Sequence, residues 1–86
     1  MTQSQATLHW LHSAFKKAKR AKTDIYVVFN YAGVRFSRTK PFVFNTLGSQ
    51  YWRVDQTGNV FQVCGDDDPV TFATVRNEYH RHTFAA

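Results

Sequence analysis

At Asp24 the spacing of apolar residues changes from that of a helix to that of a strand, which limits the chain to folds in which a helix leads into a sheet. Before the switch, Leu8, Trp10, Leu11, Ala14, Phe15 and Ala18 form one stripe when successive residues are turned by about 100°. His9, His12, Lys16, Lys19 and Arg20 fall opposite it. The stripe predicts a helix over 4–22, with Ser4 as its N-cap and the cations gathered at the carbonyl end, where the helix dipole favours them. After the switch, Ile25, Val27, Phe29 and Tyr31 alternate with Tyr26, Val28 and Asn30. Both sets are largely apolar, so this strand is expected inside the sheet rather than at its edge.

The rest of the chain is punctuated as short strands. Ala32-Gly33 reads as a tight turn into a second strand, where Val34 and Phe36 alternate with Arg35 and Ser37. Phe42 to Phe44 reads as a short strand whose start lies at an edge or a break, because Pro41 has no N–H to give. Gln50 to Asp55 and Val60 to Cys64 form the clearest hairpin, joined through Thr57-Gly58-Asn59. Trp52 and Val54 face one way on its first arm, and Tyr51, Arg53 and Asp55 the other. Near the end, Asp68-Pro69 has the form of an N-cap followed by a first-turn proline, and Phe72, Val75, Tyr79 and His82 keep helical spacing. The run from Val70 to Val75 suits a strand equally by propensity, and the acids and proline before it favour a helix. The expectation is one α+β domain over 1–86: an N-terminal helix, a four- to five-stranded antiparallel sheet and a C-terminal helix. Leu8, Leu11, Phe15, Val27, Phe29, Trp52, Val54, Phe61 and Phe72 supply most of the expected core.

A chain of 86 residues buries only about 60–65% of its unfolded surface, enough for one core and no more. Aromatic residues at 16% provide the bulk to fill it and argue against disorder. Cys64 is the single cysteine, which excludes an internal disulfide and any zinc site with two thiolates. No charged-then-apolar signal segment opens the sequence, and no apolar run approaches the roughly 20 residues of a membrane span. A reducing, cytoplasmic setting is therefore expected.

The net charge of +5 is unevenly placed. Met1 to Lys22 hold Lys16, Lys17, Lys19, Arg20 and Lys22 without a single acid, whereas the stretch from Cys64 onward is net acidic. An ordinary solvated helix face mixes signs, so this one-signed pole points to an acidic partner. Arg35, Tyr51 and Arg53 extend the expected interface onto the sheet, since exposed aromatics stack on bases while neighbouring arginines hold phosphates. The binding residues expected for nucleic acid or an acidic protein surface are thus Lys16, Lys17, Lys19, Arg20, Lys22, Arg35, Tyr51 and Arg53. A second copy of the chain is a further expected partner, through an open sheet face.

Catalytic and metal-binding signals are sparse. His9 and His12 lie one turn apart, but no third ligand accompanies them and Lys16 would repel a cation. Asp66-Asp67-Asp68 lacks the alternating oxygen ligands of a calcium loop and suits a helix start. Cys64 in an alternating strand reads as a small buried hydrophobe. A metal-free ribonuclease would use His80 and His82 with Tyr79 and Arg81, although a helix would point the two imidazoles apart. The resulting expectation is a non-enzymatic, cofactor-free nucleic-acid-binding protein. The alternative is a small protein-binding inhibitor or adaptor of the kind that phages and mobile elements encode against host machinery.

Overall fold

A computed structural model describes residues 3–30, 33–39, 50–63 and 78–85. Helix α1 spans Gln3–Ala21. It begins before Ser4, which therefore stands inside the helix rather than at its cap. It ends in a Schellman turn: Lys22 takes the left-handed conformation (φ 56°), and the Thr23 N–H donates back to the Ala18 carbonyl at 3.3 Å. Lysine fills a place that glycine usually takes.

The strands are β1 (Ile25–Asn30), β2 (Gly33–Ser37), β3 (Gln50–Val54), β4 (Asn59–Val63) and β5 (Glu78–Thr83). They form an antiparallel sheet in the order β2-β1-β3-β4-β5. The doubly apolar β1 lies between β2 and β3, the interior place its sequence calls for. Pairing sets Val27 opposite both Phe36 and Trp52, and Ile25 opposite Val54. These side chains share one face with Val60, and α1 covers that face through Leu11, Ala14, Phe15 and Ala18. Ala14 and Ala18 are fully buried, and their small side chains let the helix backbone approach the sheet closely.

On the reverse face lie Tyr26, Val28, Arg35, Tyr51, Arg53 and Phe61. Val28 and Tyr51 are buried there although α1 is on the other side. The single chain already covers them, so the expected open face offers neither to a second copy.

The expected C-terminal helix is corrected over 78–83, which form the edge strand β5, and α1 is the only helix among the described residues. The i, i+3 spacing of Tyr79 and His82 misled because it ignores what β4 requires. The outer side of β4 carries a row of backbone donors and acceptors, and β5 satisfies it from Asn59↔Thr83 to Val63↔Glu78. The Phe84 N–H extends the pairing to the Gly58 carbonyl at 2.9 Å, and its ring stacks on Phe15 with centroids 5.7 Å apart. Two core assignments change as well. Leu8 is 46% exposed at the helix flank, and Phe61 lies half-buried on the reverse face beneath Arg53. The expected strand Phe42–Phe44, Cys64, Asp66 to Pro69, Phe72 and Val75 lie outside the described residues.

Candidate nucleic-acid interface

All five helix-end cations, Lys16, Lys17, Lys19, Arg20 and Lys22, are exposed. They do not form a single face. A helical turn of about 100° per residue sets Lys17 and Lys19 about 160° apart around the axis. Each lies over an aromatic ring at its own flank: the Lys17 ammonium is 5.1 Å from the ring centroid of Phe36 in β2, and that of Lys19 is 4.4 Å from Phe15, one turn earlier in α1. Lys16 and Arg20 point between them, away from the buried stripe.

On the Lys17 flank the helix and the edge strand enclose a recess of about 260 Å³. Lys17, Arg20 and Ala21 line it from α1, and Ile25, Phe36, Ser37 and Arg38 line it from β1, β2 and the turn after β2. Arg38 is set there by that turn, in which the Ser37 hydroxyl donates to the Thr39 carbonyl at 2.7 Å and accepts from the Thr39 N–H at 3.2 Å. Three cations thus surround one recess, and none of its described lining residues is an acid. Among the described residues no carboxylate forms an ion pair with any of the three. A phosphate placed there would meet both opposite charge and donors for its oxygens.

The sheet residues expected to read a ligand are placed differently. Tyr51 is 4% exposed, so it presents no ring to solvent. Burial first, then the neighbouring Tyr26 and Glu78, pushes its phenol above the ordinary range, and the hydroxyl has no hydrogen-bond partner among the described residues. Arg53 faces the expected way but is fully engaged. Its Nε lies 3.0 Å from both Glu78 carboxylate oxygens, its Nη2 donates to Glu78 Oε2 at 2.7 Å, and its Nη1 donates to Asp24 at 2.9 Å. Its guanidinium also covers Phe61 at 4.3 Å. It is a clamp joining β3 to β5 and to the start of β1, with its charge neutralised. Arg35 is exposed on the reverse face of β2, away from the recess.

Arg38 and Trp10 belong beside the recess and were missing from the expected interface. Strand alternation held the signal for Arg38: two residues beyond Phe36, it falls on the helix-facing side. Trp10 reads as core from its stripe position, yet it is 36% exposed and rests at a tilt on Phe36, 6.2 Å between centroids.

The histidines are dispersed. His9 packs edge-on against Trp10, whereas His12 lies against Phe84 and Phe15. In a regular strand His80 and His82 would share a face. A bulge opposite Val60 and Phe61 pairs His80 with Phe61 and His82 with Val60, and so sends them to opposite faces. His80 is committed further. The Asp55 carboxylate takes the Asn59 amide N–H₂ at 3.3 Å, which leaves Asn59 Oδ1 to accept the Thr83 hydroxyl at 3.0 Å. The Thr83 proton is then used, so His80 Nε2 must donate to Thr83 across 2.9 Å and cannot deprotonate it. Among the described residues no three His, Cys, Asp or Glu side chains come together as metal ligands, and no helix is long and apolar enough to cross a membrane. Comparison with protein-family models, with curated proteins and with solved structures finds no match in any of the three.

Proposed function

We propose that this chain is a non-enzymatic nucleic-acid-binding protein that holds the phosphate backbone in the recess between α1 and β2. The observation that carries this reading is the convergence of Lys17, Arg20 and Arg38, from two separate elements, on one cavity with no acid among its described lining residues. Lys16, Lys19 and Lys22 broaden the positive field around it and steer a polyanion toward it. Arg53 and Tyr51 take no part, because one is neutralised and the other buried. The single cysteine suits work in a reducing, cytoplasmic setting. A ribonuclease lacks support in the paired geometry of His80 and His82, which face apart.

The test is retention of the purified protein on labelled DNA and RNA at low salt, repeated with K17E, R20E and R38E combined. Binding should weaken as salt rises, with a log–log slope that counts the phosphates neutralised in the recess and by the surrounding lysines, and the triple variant should lose it. A parent that binds neither DNA nor RNA at low salt refutes the reading. A second reading, a protein-binding inhibitor or adaptor, draws on a different observation: exposed Leu8 borders a cleft of about 350 Å³ lined by Leu11, Trp52, Arg81 and His82.

A further inference from the structure

We infer that the ligand is single-stranded nucleic acid, with an unpaired base stacked on Trp10 and the adjoining phosphate in the Lys17–Arg20–Arg38 recess. This rests on the nucleic-acid reading above and specifies the class of strand. Trp10 and Lys17 are seven residues apart on α1, two turns along the same flank and about 10 Å along its axis. Phe36 lies beneath both: the Trp10 indole tilts against it, and the Lys17 ammonium lies over its ring. An aromatic surface and a cationic recess therefore form one continuous track along the join of helix and sheet.

Three features of the track select a single strand. The phosphate-binding groups surround a concavity of about 260 Å³, which takes one sugar–phosphate unit but not the width of a duplex. Trp10 is 36% exposed, and for an exposed indole the stacking partner is an unpaired base, since duplex bases are already stacked on their neighbours. The rest of the indole is held by His9 at 4.9 Å and by Phe36, so the platform is ordered before the ligand arrives and loses little freedom on binding. Base stacking of this kind is tolerant of sequence, so the selectivity expected is for strandedness rather than for a motif. The track names no group that reads a ribose hydroxyl, and the shared chemistry of single-stranded DNA and RNA defines the ligand.

The experiment measures fluorescence anisotropy of end-labelled oligothymidylate, oligouridylate and a blunt hairpin duplex against the parent, W10L, W10F and K17E/R20E/R38E. W10L keeps an apolar contact on Phe36 while removing the stacking face, and melting curves check that each variant is folded. The parent should bind both single strands more tightly than the hairpin. W10L should weaken single-strand binding by roughly 5- to 100-fold, the loss of one stacked base, with hairpin binding unchanged. W10F should retain most of the affinity. Preference of the parent for the hairpin, or unchanged single-strand binding by W10L, overturns the inference and leaves the nucleic-acid reading standing if the charge-reversal variant fails to bind. Absence of binding by the parent to all three probes overturns both. Comparison of oligothymidylate with oligouridylate distinguishes DNA from RNA as the preferred source of the strand.

Discussion

Replacing Gly58 with alanine should cost this domain a large part of its stability. Gly58 lies in the β3–β4 turn at φ 98°, a conformation that L side chains rarely adopt. A methyl group there would overlap the Phe84 carbonyl oxygen and approach the Phe84 carbonyl carbon at 3.2 Å and the tip of the Phe15 ring at 3.3 Å. The turn would have to move away from the C-terminal segment. That motion breaks the bond from the Phe84 N–H to the Gly58 carbonyl and separates the stacked Phe15 and Phe84 rings. Backbone strain contributes about 1–2 kcal/mol, the hydrogen bond about 0.5–1.5 kcal/mol and the ring pair about 0.5–1.5 kcal/mol. Their sum is about 2–5 kcal/mol, against a total of about 4–13 kcal/mol for a chain of this length.

Thermal unfolding followed by circular dichroism reads this directly, since each kcal/mol lowers the midpoint by about 4–8 °C in a domain this small. G58A should therefore melt roughly 8–40 °C below the parent. G33A is the control: Gly33 also has positive φ (134°) but nothing lies within 4 Å of its added Cβ. It should show the strain alone. If G58A melts within a few degrees of the parent, or no lower than G33A, the packing of the turn against Phe84 and Phe15 is wrong.

Lys22→Gly should raise stability by about 0.5–1 kcal/mol in urea unfolding, because it relieves a left-handed lysine at the end of α1; a loss would show that the cap depends on the side chain. Tyr51→Phe should be neutral or stabilising by about 1 kcal/mol, since it removes a buried hydroxyl that has no partner among the described residues, and a clear drop in melting temperature would reveal a bond to that oxygen. Phe15→Ala should cost about 3–5 kcal/mol and Leu8→Ala under about 1 kcal/mol, a contrast that chemical denaturation resolves. Burial pushes the Asp55 carboxyl up, but hydrogen bonds from the Thr57 hydroxyl, the Asn59 N–H and side chain and the Thr57 N–H outweigh it and hold its pKa below the ordinary value. Its contribution is thus fully present above about pH 4 and fades as pH falls through the lower folded-state pKa; acid titration of melting temperature should lose that component in D55N.

Residues whose role depends on near neighbours were legible in the sequence. The α1 stripe, the interior position of β1 and the β3–β4 hairpin follow from periodicity and turn chemistry within short windows. What was not legible depends on contacts far along the chain. Glu78 and Thr83 are drawn into a strand by β4, some twenty residues earlier, and local spacing holds no trace of that demand. Arg53 reads as a free cation until Asp24 and Glu78, separated from it by 29 and 25 residues, are seen to meet it. Alternation placed Tyr51 correctly on the face away from α1, but a side chain's face does not fix its exposure, and Tyr51 is buried there.

The distribution of acids explains why the basic pole remains available. Asp24 and Glu78 are both committed to Arg53, and Asp55 is committed to the backbone and side chains of the β3–β4 turn. The carboxylates among the described residues therefore serve the sheet and none reaches the cations of α1. Lys17, Arg20 and Arg38 meet around their recess with no carboxylate among the described lining residues, and like charges held at one cavity raise the energy of the folded state. An anion that enters removes that repulsion and gains the Coulombic attraction of all three at once. An anion that prefers the folded chain, because the unfolded chain has no recess, should also raise the melting temperature as its concentration exceeds the dissociation constant. A polyanion gains more than a single phosphate because Lys16, Lys19 and Lys22 act on its neighbouring charges, and that gain must shrink as salt screens them.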